Sequence, residues 1–155
     1  MLAAADAYRR IAIMTPMIVA VCLASVIYMP LLTLGFALSP LRGIFPRPLV
    51  IGIGLAMGGL IALLLHGFKH HYPSASAVAI NLFWGMMFGL AIADFWGLLA
   101  PCVEGQARIL ERFPPDPRRS LYGDMRVIMA PVTPIAVCGF VSGLLIGILA
   151  TVLRL

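Results

Sequence analysis

An all-α, polytopic membrane fold with four transmembrane helices is the fold class this sequence predicts, with a short amphipathic helix in its third loop. Three observations predict it. First, 62% of the 155 residues are hydrophobic and only 11% are charged, whereas a soluble domain carries about 25% charged residues. So few polar groups cannot cover a water-facing surface. Second, the apolar residues fall into four runs, each close to the ~20 residues that cross a bilayer. Third, the lysines and arginines stand in the breaks between those runs. With this length, residues 1–155 are expected to form a single four-helix transmembrane domain.

The first span is expected at about 11–37. The apolar run that starts at Ile11 follows Arg9-Arg10, as a signal peptide would. It is far longer than the ~7–15 residues of a signal core, however, and it lacks a small-residue cleavage site. It therefore reads as a retained span. Pro16 lies near its start and Pro30 near its end. Proline removes a backbone donor and crowds the preceding turn, so Pro30 is expected to kink or end the helix. The connector Ser39–Pro48 carries three further prolines and two arginines, Arg42 and Arg47. It is expected to lie at the headgroups and not to be helical.

The second span is expected at about 49–68, followed by a polar turn, Lys69-His70-His71-Tyr72-Pro73. The third is expected at about 77–100, with Pro101 marking its end. Beyond it, Glu104 and Arg108 form a favourable i,i+4 pair, while Val103, Ala107, Leu110 and Phe113 share another face. This predicts an amphipathic segment over about 103–113, ended by Pro114, Pro115 and Pro117. The fourth span is expected at about 125–153. Its regular helix either begins near Pro134 or is kinked in its first turns at Pro131 and Pro134. No soluble domain is expected after Arg154-Leu155.

Charge and cysteine usage narrow the function classes. The net charge is +5. Because the basic residues flank apolar runs, anionic headgroups explain the charge better than nucleic acid does. The expected partners are therefore the lipid bilayer and other membrane subunits or further copies of the chain, with no nucleic acid. Arg9, Arg10, Lys69 and Arg154 fall on one face of a four-span protein. The other seven basic residues, Arg42, Arg47, Arg108, Arg112, Arg118, Arg119 and Arg126, fall on the opposite face. The positive-inside bias then predicts cytoplasmic first and third loops, in a bacterial inner membrane. Cys22, Cys102 and Cys138 are widely spaced and odd in number, which suggests neither a disulfide framework nor a zinc site.

Few residues could carry chemistry. Asp94 is the acid that interrupts the third span. An intramembrane carboxylate costs about 2.5–3.5 kcal/mol to insert and normally faces protein or water. With the span ending at Ala100, Asp94 would lie ~9 Å from the third-loop side. It could serve as a proton or cation relay, or pair with Arg126, whose span enters from the same side. Asn81, thirteen residues earlier, falls ~220° away around the helix, so the two share no polar stripe. His66, His70 and His71 cluster at the end of the second span. The i,i+4 pair His66 and His70 could present two imidazoles to zinc or copper, although interfacial histidines are the plainer reading. No other metal or cofactor is predicted.

Glycines recur every four residues at Gly54 and Gly58, at Gly85 and Gly89, and at Gly139, Gly143 and Gly147. Such spacing lets helix backbones approach closely, either inside this bundle or against another chain. No phosphate-binding glycine loop, nucleophile elbow or HExxH motif is present, so the reading leans away from an enzyme. The expectation is a small non-catalytic integral subunit of a larger membrane complex. One alternative is a homo-oligomeric proton- or cation-coupled transporter or channel using Asp94. A second is a metal- or redox-handling membrane protein using the histidine cluster.

Overall fold

A computed structural model describes residues 2–72, 76–104 and 129–153 of the chain, with side chains of the first helix described from Met14 onward. Among the described residues four long helices follow one another: α1 (Leu2–Leu38), α2 (Arg47–His71), α3 (Ala77–Glu104) and α4 (Thr133–Val152). No strand occurs among the described residues. All four helices are long and apolar enough to cross a membrane, and the shortest candidate span, Thr133–Val152, has 20 residues, or ~30 Å of helix.

The helices differ from expectation mainly at their ends. α1 runs unbroken through Pro30 to Leu38, and α3 runs through Pro101 to Glu104. Each proline removes one intrahelical donor, and apolar helix former on both sides propagates past that single loss. α2 takes in Lys69, His70 and His71 as its last turn, and its closing bond runs from the Tyr72 N–H to the Phe68 carbonyl. Cations are favoured there by the partial negative charge of the helix C-terminus. α4 begins at Thr133, with Pro134 in its first turn. The turn before it is closed by bonds from Val132 N–H to Met129 O and from Thr133 N–H to Ala130 O. Residues 105–113 of the expected amphipathic segment, and residues 125–128, lie outside the described residues.

Packing joins the helices as two close pairs, α1 with α2 and α3 with α4, and α1 also lies along α4. α2 touches α3 and α4 less extensively. Each helix buries one stripe. On α1 the stripe is Ala20, Ala24, Tyr28, Leu32 and Phe36. On α3, Gly85, Gly89, Ala93 and Gly97 are buried at four-residue spacing. On α4, Ile135, Gly139, Gly143, Ile146, Gly147 and Ala150 are buried. The opposite faces are equally apolar, with Val26, Phe83, Phe95 and Val137 all more than half exposed. A helix of a water-soluble bundle places polar residues there.

Candidate functional site

The interior of the bundle is built on glycine. A methyl group added at Gly58 would lie 2.5 Å from the carbonyl oxygen of Ala24, and one at Gly54 would lie 2.7 Å from Met29 Cα. These two glycines bring α2 against α1. Along the second seam, a methyl at Gly85 would lie 2.5 Å from the Gly143 carbonyl oxygen. Methyls at Gly89, Gly139, Gly143 and Gly147 would overlap, respectively, the Gly139 carbonyl, Ala93, the Gly85 carbonyl and the Asn81 carbonyl. All seven glycines picked out by their spacing therefore face another helix of the same chain. Gly35 is also close to α4, with an added methyl 2.9 Å from Ile135 Cα, and Gly97 faces the Val132 side chain in the turn before it at 2.6 Å.

Close approach brings polar groups together at the centre. Tyr28 is fully buried, and its hydroxyl donates to the Gly89 carbonyl oxygen at 3.2 Å. Gly89 is central to the candidate span Ala77–Val103, so this bond crosses the bundle at mid-height. A buried tyrosine hydroxyl needs such an acceptor, and a carbonyl is reachable because no side chain covers it. Sequence reasoning missed Tyr28. Its one available signal was a lone phenol in the middle of a long apolar run.

The other hydroxyls turn back on their own helices. Ser25 bonds to Val21 O, Thr33 to Met29 O, Ser142 to Cys138 O and Thr151 to Gly147 O, all at i−4. This satisfies each hydroxyl proton within its own helix. Ser39 is different. It is 1% exposed, its hydroxyl donates to the Pro131 carbonyl, and it accepts the Leu41 N–H at 3.1 Å. It ties the α1–α2 connector to the turn before α4.

Asn81 is buried at the other end of the α3–α4 seam. Its Nδ2 donates to Thr151 Oγ1 at 3.4 Å, while its Oδ1 has no donor among the described residues. Asp94 stands apart from it. Because α3 continues past Ala100, Asp94 lies ~6 Å from the middle of its span, deeper than the sequence places it. It is ~140° around the helix from Gly89, off the α4 seam. It is half-buried, flanked by buried Gly97 and by Leu98, which is 43% exposed. Among the described residues no ion pair or hydrogen bond satisfies its carboxyl group. Arg126, the partner expected for it, lies outside the described residues.

His66 and His70 are exposed on α2, and His71 stacks edge-on with Tyr72 at 5.3 Å. No group of three or more histidine, cysteine or acidic side chains is close enough to hold a metal ion among the described residues. Aromatic packing instead closes the two ends of the bundle. Phe68 of α2 meets Trp84 at 4.6 Å and Phe88 at 5.6 Å. Phe45 of the connector joins Phe36 at 5.7 Å and Trp96 at 6.2 Å.

The fold defines a four-helix chain of membrane-spanning dimensions with one carboxylate within its apolar spans. No family model matches the chain, and comparison with curated proteins and with solved structures found no match.

Proposed function

We propose that this chain is a small, non-catalytic integral membrane subunit that packs against other membrane segments. All four helices would lie in the bacterial inner membrane, with the first and third loops cytoplasmic. One observation carries the reading: a half-buried carboxyl group, Asp94, lies near mid-span beside apolar exposed side chains and lacks a partner among the described residues. In hydrocarbon such a group is stable only when another polar group covers it or when it is protonated. A neighbouring helix that donates to Asp94 meets that need. The glycine seams do not supply the contact, because they are occupied within the chain.

A second reading rests on a separate observation. The Tyr28 hydroxyl bridges α1 and α3 at mid-height, and Asp94 stands ~6 Å of helix rise from that level. That pairing suits movement of a proton or cation through a homo-oligomer.

Asp94→Asn separates the two readings when assembly and proteoliposome flux are measured on the same preparation. A reduced assembled fraction supports the subunit reading. Loss of proton or cation flux with assembly intact supports transport and contradicts it.

A further inference from the structure

The connector between α1 and α2 builds a second site, away from Asp94. Its apolar side chains are anchored inside: Leu41 is 2% exposed and Phe45 is 9% exposed. Ser39 ties it to the Pro131 carbonyl. Gly43 turns the backbone with φ 88°, a conformation open to glycine at little strain. The consequence is that Arg42 and Gly43 project between two buried anchors. Arg47 stands in the first turn of α2, where the helix dipole favours negative charge.

Between them lies a cleft of about 380 Å³, lined by Arg42 and Arg47 together with Thr33, Phe36, Phe45 and Val50. Both arginines are exposed, and neither has an ion-pair partner among the described residues. The Leu49 and Val50 N–H groups are already bound to Pro46 O. The guanidinium groups of Arg42 and Arg47 supply the charged donors at the cleft.

The geometry points to a binding site for the phosphate of an anionic phospholipid headgroup, held by Arg42 and Arg47, with the glycerol and upper acyl chain against Phe36, Phe45 and Val50. Guanidinium groups match phosphate oxygens in bidentate geometry. Basic clefts between helices at the membrane surface are where acidic headgroups bind. An apolar floor beside the cations selects an amphiphile over a free anion. The inference rests on membrane insertion but not on Asp94 or on any partner chain.

Native mass spectrometry of the full chain in mild detergent tests it, with phosphatidylglycerol and phosphatidylcholine of matched chains as probes and inorganic phosphate as competitor. Phosphatidylglycerol is expected to stay bound at one copy per chain and phosphatidylcholine to dissociate. R42Q/R47Q is expected to weaken phosphatidylglycerol binding about thirtyfold, the loss of two surface arginine contacts. Equal retention of the two lipids by the wild type overturns the site, whatever the variant does. Undiminished binding by R42Q/R47Q also overturns it. Displacement of the lipid by millimolar phosphate assigns the cleft to a free anion and overturns the lipid assignment. Because binding is read on the isolated chain, failure here leaves the subunit reading intact, and the reverse holds.

Discussion

The Tyr28 hydroxyl donates to the Gly89 carbonyl oxygen across the centre of the bundle, joining residues 61 positions apart in the chain. α1 and α3 meet there through a side chain reaching a bare glycine backbone. Removing the hydroxyl alone leaves the ring and its packing. Tyr28→Phe is therefore expected to fold and to lose about 0.6 kcal/mol, the average of interhelical hydrogen bonds in a bilayer. Tyr28→Ala empties a fully buried site and is expected to lose about 3–5 kcal/mol. Reversible unfolding in mixed micelles measures both. Equal losses for the two variants would remove the bond from the account.

The α3–α4 seam admits no side chain at its centre. A methyl at Gly143 would already overlap the Gly85 carbonyl, whereas Gly52 on α2 has nothing within 4 Å of an added Cβ. Gly143→Leu is thus expected to destabilise by at least the ~1–3 kcal/mol of an overpacked core. Gly52→Leu is expected to stay within ~0.5 kcal/mol of wild type, as an open site should. The same micelle unfolding assay decides, and similar values for the two would mean that the seam is not closely packed.

Two fully or nearly fully buried serines should behave differently. Ser39 bridges the connector to Pro131, while Ser142 bonds only to Cys138 O in its own helix. Ser39→Ala strands a buried carbonyl and an N–H, a loss of about 1–3 kcal/mol. Ser142→Ala leaves the Cys138 carbonyl within its helical ladder and is expected to change stability by less than ~0.5 kcal/mol. Proteolysis of the connector should also quicken in Ser39→Ala alone. A connector cut at the wild-type rate would show that Ser39 does not anchor it.

These contrasts show what the sequence makes legible. Four apolar runs and their polar breaks are visible because hydrocarbon requires length and the absence of charge, and both are one-dimensional properties. Helix ends are less visible. Pro101 reads as a stop and Pro30 as a kink or a stop, yet each removes a single backbone bond inside a long apolar helix. Four-residue glycine spacing marks a helix face but not its neighbour. That Gly85 and Gly89 meet Gly139, Gly143 and Gly147, and not a second chain, is set by how the helices cross. Tyr28 was hidden for a related reason, since its acceptor is a backbone carbonyl on a distant helix. The depth of Asp94 depended on where α3 ends, and Pro101 placed that end too early.

Asp94 is where the account makes its strongest claim on other molecules. If a polar group on a neighbouring chain covers its carboxyl, a side chain of similar size that still hydrogen-bonds should preserve part of the contact. Asp94→Asn is expected to leave a reduced but measurable assembled fraction, and Asp94→Leu to leave none while the chain still folds. Assembly equally sensitive to Asn and Leu would point to the charge alone. Assembly indifferent to both would separate Asp94 from the interface.

The most direct measurement is the mass of the wild-type chain extracted from its native membrane in mild detergent, with bound detergent subtracted. The account predicts a discrete species well above the 16.6 kDa of one chain, converted to a single folded chain by Asp94→Leu. A stable wild-type species of one chain, with nothing bound to it, would contradict the account.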